Sequence, residues 1–209
     1  MRHASRWGLL AALLSVAALV ALWPPQEIPE ASAGHSTGQS TDLDQLRVAA
    51  ALQPCPAPSP GRTAAPGPLA GVRLPCLGAP ETVDLGASLA GRPALLNMWG
   101  PLCRPCAEEL PALAAYAAEP GAVPVLGVEV QRLPEGALDM LAVLDVHYPS
   151  VSDPEGRLRA ALAAPQVLPL SFVVSADGRV SQVNPPQVLR TAEQVRAVVQ
   201  RYLGPGAAG

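Results

Sequence analysis

The sequence predicts an α/β domain in which a central mixed sheet is flanked by helices, preceded by an N-terminal extension and a membrane anchor. Three observations carry this. Two runs, ALLNMW (94–99) and AVPVLGVEV (122–130), are apolar almost throughout and bounded by Pro or Gly, as in strands covered on both faces. Each is followed by a helical periodicity, and that alternation of strand and helix builds a layered α/β fold. A predicted hairpin and a last amphipathic helix close the chain, and no internal repeat is present.

Residues 1–23 are the first segment. Arg2, His3 and Arg6 precede WGLLAALLSVAALVALW, a charge-free run of 17 residues ending at Trp23, and the PPQEIPE that follows cannot continue a helix. The run is just long enough to span a bilayer, its basic flank belongs on the cytoplasmic side, and Trp7 and Trp23 suit the two interfaces. The same run also fits the apolar part of a signal peptide, with ASA at 31–33 as a cleavage site set rather far behind it. The anchor is the preferred reading, giving a single-pass protein of the cell membrane with its domain outside the cytoplasm. Secretion after cleavage is the alternative. No Cys follows the run closely and no Arg pair precedes it, which argues against a lipoprotein anchor and twin-arginine export. Residues 24–40 are small, polar and Pro-bearing, and are assigned as a flexible linker.

The domain is assigned to residues 41–209. TDLDQLRVAAAL reads as a short helix capped by Thr41, after which QPCPAPSPGRTAAPGP breaks regular structure. GVRLPCL is an edge strand, because Pro75 lacks a donor and is tolerated only at an edge or bulge. ALLNMW ends directly at a CxxC motif. From there Cys103, Cys106, Leu110, Leu113 and Tyr116 recur at three- and four-residue steps, predicting an amphipathic helix that starts at the first cysteine and kinks at Pro111. AVPVLGVEV is the second buried strand, PEGALDMLAVLD a helix opened by Pro134, and DPEGRLRAALAA a further short helix. PLSFVVSADGRVSQV reads as two strands joined at Ala176-Asp177-Gly178. TAEQVRAVVQRYL is a helix capped by Thr191 and stopped by Gly204-Pro205.

Composition excludes some function classes. The formal charge is −3, Lys is absent, and no stripe of Arg is clustered, which argues against nucleic acid as a partner. An apolar content of 49% supports a core, but with one Phe that core must be filled by Ala, Val and Leu.

The motif LCRPCAEELP has three readings: half a zinc site, a structural disulfide or a redox pair. Zinc takes four ligands, so it would need a second pair nearby. A cysteine at a helix N-terminus meets unpaired backbone N–H groups and the positive end of the macrodipole, so Cys103 is expected to be more acidic than a free thiol. Cys103 is therefore the candidate nucleophile, and Cys106, one turn inward, the candidate resolving thiol. Arg104 adds positive potential between them, and Pro105 removes a donor and stiffens the turn. Cys106 must lose a proton as it attacks, and Glu109, one turn further on, is the candidate acceptor. The competing reading makes Glu108 and Glu109 first-turn acids on a solvated face. Glu129 is a further candidate acid, with a strand end facing water as its competing reading.

These features resemble thioredoxin over roughly residues 70–203. The resemblance rests on a buried strand ending in Trp99, a CxxC opening a helix with Pro111 eight residues after the first Cys, and Leu168-Pro169 ahead of a hairpin and final helix. Within that superfamily, four features resemble the extracytoplasmic TlpA/ResA/DsbE-like thiol-disulfide oxidoreductases. They are the anchor, Asn97 where thioredoxin has a buried Asp, Glu109 three residues after Cys106, and the helical insertion before Leu168. The resemblance implies a thioredoxin fold and protein thiol-disulfide exchange through Cys103 and Cys106. It implies protein disulfides or dithiols as substrates, a membrane thiol donor or acceptor as partner, and no cofactor. It also implies that Pro169 is cis and faces the cysteines, with Leu168 pairing with the substrate backbone. Trp99 is expected either as an aromatic wall for substrate or as a core residue. The position before the first Cys, often Trp in these families, is Leu102 here, which puts the shape of the substrate platform in question. Reduction, for example of apocytochrome c cysteines before haem attachment, is the expected direction, and a disulfide-forming oxidase is the alternative.

Cys55 and Cys76 flank the Pro-rich loop. In an exported domain an even number of cysteines invites pairing, and these two are read as a structural disulfide. A redox relay to the CxxC pair and a four-cysteine zinc site are the alternatives, and zinc explains neither the helix start nor Pro169. A metal-binding chaperone is the rival from another class. The TxxC pattern of a peroxidase is absent. His3 lies in the basic flank, His35 in the linker, and His147 is read as a partly exposed residue without a metal role.

Overall fold

The computed structural model describes residues 35–58, 61–62 and 67–204. The expected anchor at 1–23, the linker as far as residue 34 and the cleavage motif lie outside the described residues. Among the described residues no helix is long and apolar enough to cross a membrane. The described residues from 39 onward form one compact unit, which contains the sheet.

Helix α1 (His35–Ala50) begins upstream of Thr41, which lies inside it rather than capping it. Residues 35–40, expected in the linker, are helical because they contain no Pro, and the single Gly38 costs only about 1 kcal/mol. Two short strands follow, β1 (Arg73–Pro75) and β2 (Thr82–Asp84), paired antiparallel with Leu74 opposite Val83. Asp84 caps the single-turn helix α2 (Leu85–Ser88), its carboxylate accepting the Ala87 N–H at 3.1 Å. Neither β2 nor α2 is legible in the sequence, since three or four residues are too few to establish a period.

The main sheet contains β3 (Ala94–Trp99), β4 (Val125–Glu129), β5 (Ser150–Ser152), β6 (Leu170–Val174) and β7 (Val180–Gln182), in the order β5-β4-β3-β6-β7. The β3–β4 and β4–β5 pairs are parallel, and the β3–β6 and β6–β7 pairs antiparallel, so the sheet is mixed. Its connections are helices α3 (Arg104–Ala117), α4 (Pro134–Val143) and α5 (Arg157–Ala161), and α6 (Ala192–Leu203) ends the fold. Strand β5 is unexpected because two of its three residues are serines. Both are buried, and Ser152 Oγ donates to the Glu129 carboxylate at 2.7 Å.

Alternation along β3 divides the core in two. Leu95 and Trp99 pack with Cys103, Cys106, Leu110 and Leu113 of the α3 layer and with Val195, Val198 and Val199 of α6. Ala94, Leu96 and Met98 face the other side, against Leu74, Val83, Leu85 and Leu158. Every residue of β3 and β4 is buried, as the unbroken apolar runs require. Helix α3 runs on through Pro111, because the flanking turns bury Leu110, Ala112 and Leu113 and this outweighs one lost backbone bond. The hairpin turn uses Gly178 at φ +86°, a conformation open to glycine at no steric cost. Thr191 caps α6, accepting the Gln194 N–H at 3.2 Å.

Cys55 and Cys76 are joined in a disulfide across a separation of 21 residues, tying the Pro-rich segment to the end of β1. Closing a loop of that length removes about 3 kcal/mol of denatured-state freedom. Replacing both by Ala is expected to lower the unfolding free energy by about 3 kcal/mol. Urea titration of the variant beside the wild type, with the CxxC pair oxidised in both, checks this.

Candidate active site

Strand β3 delivers the chain to Gly100-Pro101-Leu102, where a turn closes with the Cys103 N–H donating to the Gly100 carbonyl at 3.0 Å. Cys103 is the N-cap of α3 with extended backbone (φ −96°, ψ 97°), and its Sγ accepts the Cys106 N–H at 3.2 Å. The two cysteines form a disulfide, S–S 2.03 Å and Cα–Cα 5.2 Å. Cys103 is 8% exposed and Cys106 fully buried, so only the first sulfur offers itself to a large reactant. Once the bond is reduced, the same N–H group and helix end stabilise negative charge on Cys103. Arg104 between them is solvent-exposed, its guanidinium 4.0 Å from Glu108.

The turn is held from the side by Gln131, whose Oε1 accepts the Leu102 N–H at 2.8 Å. Gly100 makes room for it, since a Cβ there would lie 2.4 Å from the Gln131 side chain. Leu102 is 77% exposed immediately before Cys103, and Leu133 and Val167 are also exposed apolar side chains.

Glu109 is fully buried, so it is not a first-turn acid on a solvated face. Glu108 takes that place, accepting from Arg190 at 2.9 Å. The Glu109 carboxylate accepts at both oxygens, from Asn97 Nδ2 at 2.7 Å and from the Leu189 backbone N–H at 2.8 Å. Burial pushes its pKa up to about 7, against the opposing pull of the Leu189 and Asn97 hydrogen bonds and the Arg190 charge. Asn97 also donates to Ser171 Oγ at 3.0 Å, its register partner on β6. Burial, followed by the charge of Glu109, raises the Tyr148 hydroxyl well above the usual tyrosine range.

The Leu168–Pro169 bond is cis, and the half-buried Leu168 packs on the cluster that holds Cys103 and Cys106. A second cis bond, Asn184–Pro185, has no sequence signal. Trp99 offers no wall to a substrate. It is fully buried, and Gly127 is the neighbour that leaves it room, since a Cβ there would lie 2.9 Å from its Nε1. Glu129 is likewise buried rather than facing water, accepting from Ser152 Oγ and the Gln131 N–H. His147 has both ring nitrogens engaged, Nδ1 2.8 Å from the Ala50 carbonyl and Nε2 2.8 Å from Asp145, and these contacts raise its pKa. Among the described residues no group of three or more His, Cys, Asp or Glu side chains is placed to hold a metal ion. The residues that sequence reasoning misses are Ser171, Leu189 and Gln131. Leu189 acts through its backbone and leaves no trace in side-chain type, whereas Ser171 interrupts the apolar run of β6 opposite Asn97.

A mixed sheet with a cysteine pair capping the helix after its central strand defines a thioredoxin-like protein. The chain belongs to the Redoxin family, whose profile matches residues 65–199. It is similar to the thiol:disulfide interchange protein DsbE of Xylella fastidiosa, 40% identical over 85 residues, 40% of this chain and 43% of that protein. It is also similar to the soluble secreted antigen MPT53 of Mycobacterium tuberculosis, 31% identical over 111 residues, 53% of this chain and 63% of the antigen. The chain thus spans less than two thirds of the length of either relative. Among solved structures it resembles a secreted M. tuberculosis disulfide oxidoreductase homologous to E. coli DsbE. The identity there is 26% and the TM-score 0.56, over 64% of this chain and 97% of that one.

The raised pKa of Glu109 has a consequence for stability. Below its unfolded value, 4.5, the carboxyl is protonated in both states and costs nothing. As pH rises toward about 7 the unfolded chain ionises first, so stability falls and the loss is complete once the folded group has also ionised. The full loss is about 3 kcal/mol. Urea unfolding of the oxidised protein at acid and mildly alkaline pH is expected to show this slope, and a Glu109→Gln variant to lack it.

Proposed function

We propose that this chain is a protein thiol-disulfide oxidoreductase acting outside the cytoplasm, tethered to the membrane by residues 1–23, and working as a reductant. The observation that carries the reading is the near-buried Cys103–Cys106 pair at the start of α3 with a buried carboxyl one turn further along. In the dithiol state the Cys103 thiolate attacks a substrate disulfide, forming a Cys103–substrate bond as the first substrate sulfur leaves. Cys106 then gives its proton to Glu109 and attacks Cys103 Sγ. The second substrate sulfur leaves, two electrons have passed to the substrate, and the pair is left oxidised. The proton on Glu109 goes on to a departing thiolate, and solvent supplies the other. A membrane thiol partner would restore the dithiol.

Two features support the reducing direction. The Cys103 sulfur receives one backbone N–H and no charged donor, so its thiolate is stabilised only moderately. The buried Glu109 anion makes a thiolate at Cys106 costlier and thereby favours the disulfide state of the pair. Reduction of apocytochrome c cysteines is a task that fits. Leu102 and the backbone of Leu168 are assigned to the substrate segment, and the Cys55–Cys76 bond to stapling the N-terminal extension.

Replacing Cys103 by Ser is expected to abolish insulin disulfide reduction, and Cys106→Ser to accumulate a mixed disulfide with the substrate on non-reducing gels. Activity retained by the Cys103 variant would move the site elsewhere. Equilibrated against a dithiol buffer, the pair is expected near thioredoxin's potential, about −270 mV. A value near about −120 mV would make the chain a disulfide-donating oxidase instead. Stoichiometric zinc or copper on the reduced protein would favour a metal chaperone.

A further inference from the structure

Among the described residues the Asn97 amide is the one side chain that hydrogen-bonds Glu109, and half of it is unused. Its Nδ2 donates twice, to Glu109 Oε2 at 2.7 Å and to Ser171 Oγ at 3.0 Å, while its Oδ1 is buried without a partner. With the Leu189 N–H on Oε1, this arrangement suits an ionised Glu109, because both of its oxygens act only as acceptors. A protonated Glu109 has a hydrogen to give. The group facing its Oε2 is then a donor, and donor against donor is not tolerated in a buried site.

Turning the amide by half a revolution resolves the conflict. Oδ1 then stands where Nδ2 stood, accepting from the Glu109 O–H and from the Ser171 hydroxyl, which serves as acceptor in one state and donor in the other. Nδ2 moves to the place where Oδ1 had no partner, so each state carries one unsatisfied atom on that side. That side favours the unturned amide, since two unpaired N–H groups are less well tolerated than one unpaired carbonyl oxygen, so it is the proton on Glu109 that drives the turn. An aspartate here would bring a second charge and a leucine would offer no bond. An amide matches both protonation states of its neighbour.

We infer that Asn97 is a positioning residue for Glu109, its amide turning over each time Glu109 gains or loses a proton, with the Ser171 hydroxyl reversing in step. The inference rests on the redox reading above, in which Glu109 takes the Cys106 proton and later releases it. Two hydrogen-bonded states let that proton be collected and returned without leaving a charged or a protonated carboxyl unpaired. The other groups bearing on Glu109 are Arg190 beside the Leu189 donor and the buried hydroxyl of Tyr148, and Cys106 lies one turn earlier on the same helix. Of these, the Tyr148 hydroxyl can both donate and accept, but it makes no hydrogen bond to Glu109 here, whereas Asn97 does.

The test is an NMR titration of the full wild-type chain, following the Glu109 carboxyl carbon and the Asn97 side-chain amide together. Near-neutral ionisation of Glu109 is expected to carry the Asn97 amide resonances with it at the same midpoint, both N–H groups being hydrogen-bonded only on the alkaline side. Asn97 resonances that stay fixed through the Glu109 titration would overturn the inference. In Asn97→Leu the Glu109 midpoint is expected to rise by about one pH unit, with loss of a charge-assisted bond. Insulin reduction near neutrality should drop about tenfold and recover at alkaline pH. A rate lowered equally at every pH would mark a merely structural role and count against the proposal. The two readings fail separately. A wild-type chain that leaves insulin untouched while Asn97 and Glu109 titrate together sinks the redox function and keeps the coupled pair.

Discussion

Glu109 is buried in a layer of apolar side chains, and its surroundings are arranged to solvate one carboxyl group. Two donors do this, the backbone N–H of Leu189 and the amide of Asn97. Leu189 is available only because the segment before α6 folds down onto α3, where Arg190 takes the neighbouring Glu108. Asn97 is available only because alternation along β3 puts it on the face of Leu95 and Trp99, toward α3, and because the antiparallel register with β6 sets Ser171 opposite. A shift of one residue in either register would send the amide to the other core and leave a buried carboxyl without its side-chain donor. The positions of α3, α6 and two strands are thus coupled through a single acid.

The cysteine pair has a simpler origin. A chain leaving a buried strand must turn, and the turn Gly100-Pro101-Leu102 places Cys103 at the N-cap, where a side-chain acceptor is needed for one of the orphan N–H groups. Sulfur takes the role that Ser or Asp usually fills. Under the proposed function, the capping geometry and the reactivity would have one cause, since a helix N-terminus favours a thiolate. The loop opening α4 supports this turn through Gln131, whose place depends in turn on Glu129 accepting the Gln131 N–H.

Much of this was legible in the residues. Unbroken apolar runs gave β3 and β4, three- and four-residue steps gave α3 and α6, Cys103 and Cys106 stood out by type and spacing, and Pro169 stood out only through the resemblance to thioredoxin. Short elements escaped, because β2, α2 and the serine-bearing β5 carry no period. The start of α1 escaped because polar residues without Pro are compatible with both linker and helix. Inside the site, the identity of Glu109 was readable but its burial was not, since a helix position beside an equivalent Glu108 has two faces and sequence alone does not choose between them. Trp99 failed for the same reason in reverse, as a large aromatic at a strand end serves a core as well as a surface.

Under the proposed chemistry, proton and electrons are linked through the same pair of helix positions. An anion at Glu109 raises the cost of a thiolate at Cys106, and by reciprocity a thiolate there raises the affinity of Glu109 for a proton. With Glu109 ionising at about 7, the balance between its two forms lies within the range of neutral solution. A proton taken from Cys106 is then held neither so tightly that it blocks the next cycle nor so weakly that the thiol keeps it. Had burial been relieved by a third donor, the carboxyl would stay ionised and serve only as a fixed charge. The sparse solvation of Glu109, two donors for a fully buried acid, is what leaves it able to exchange a proton at all.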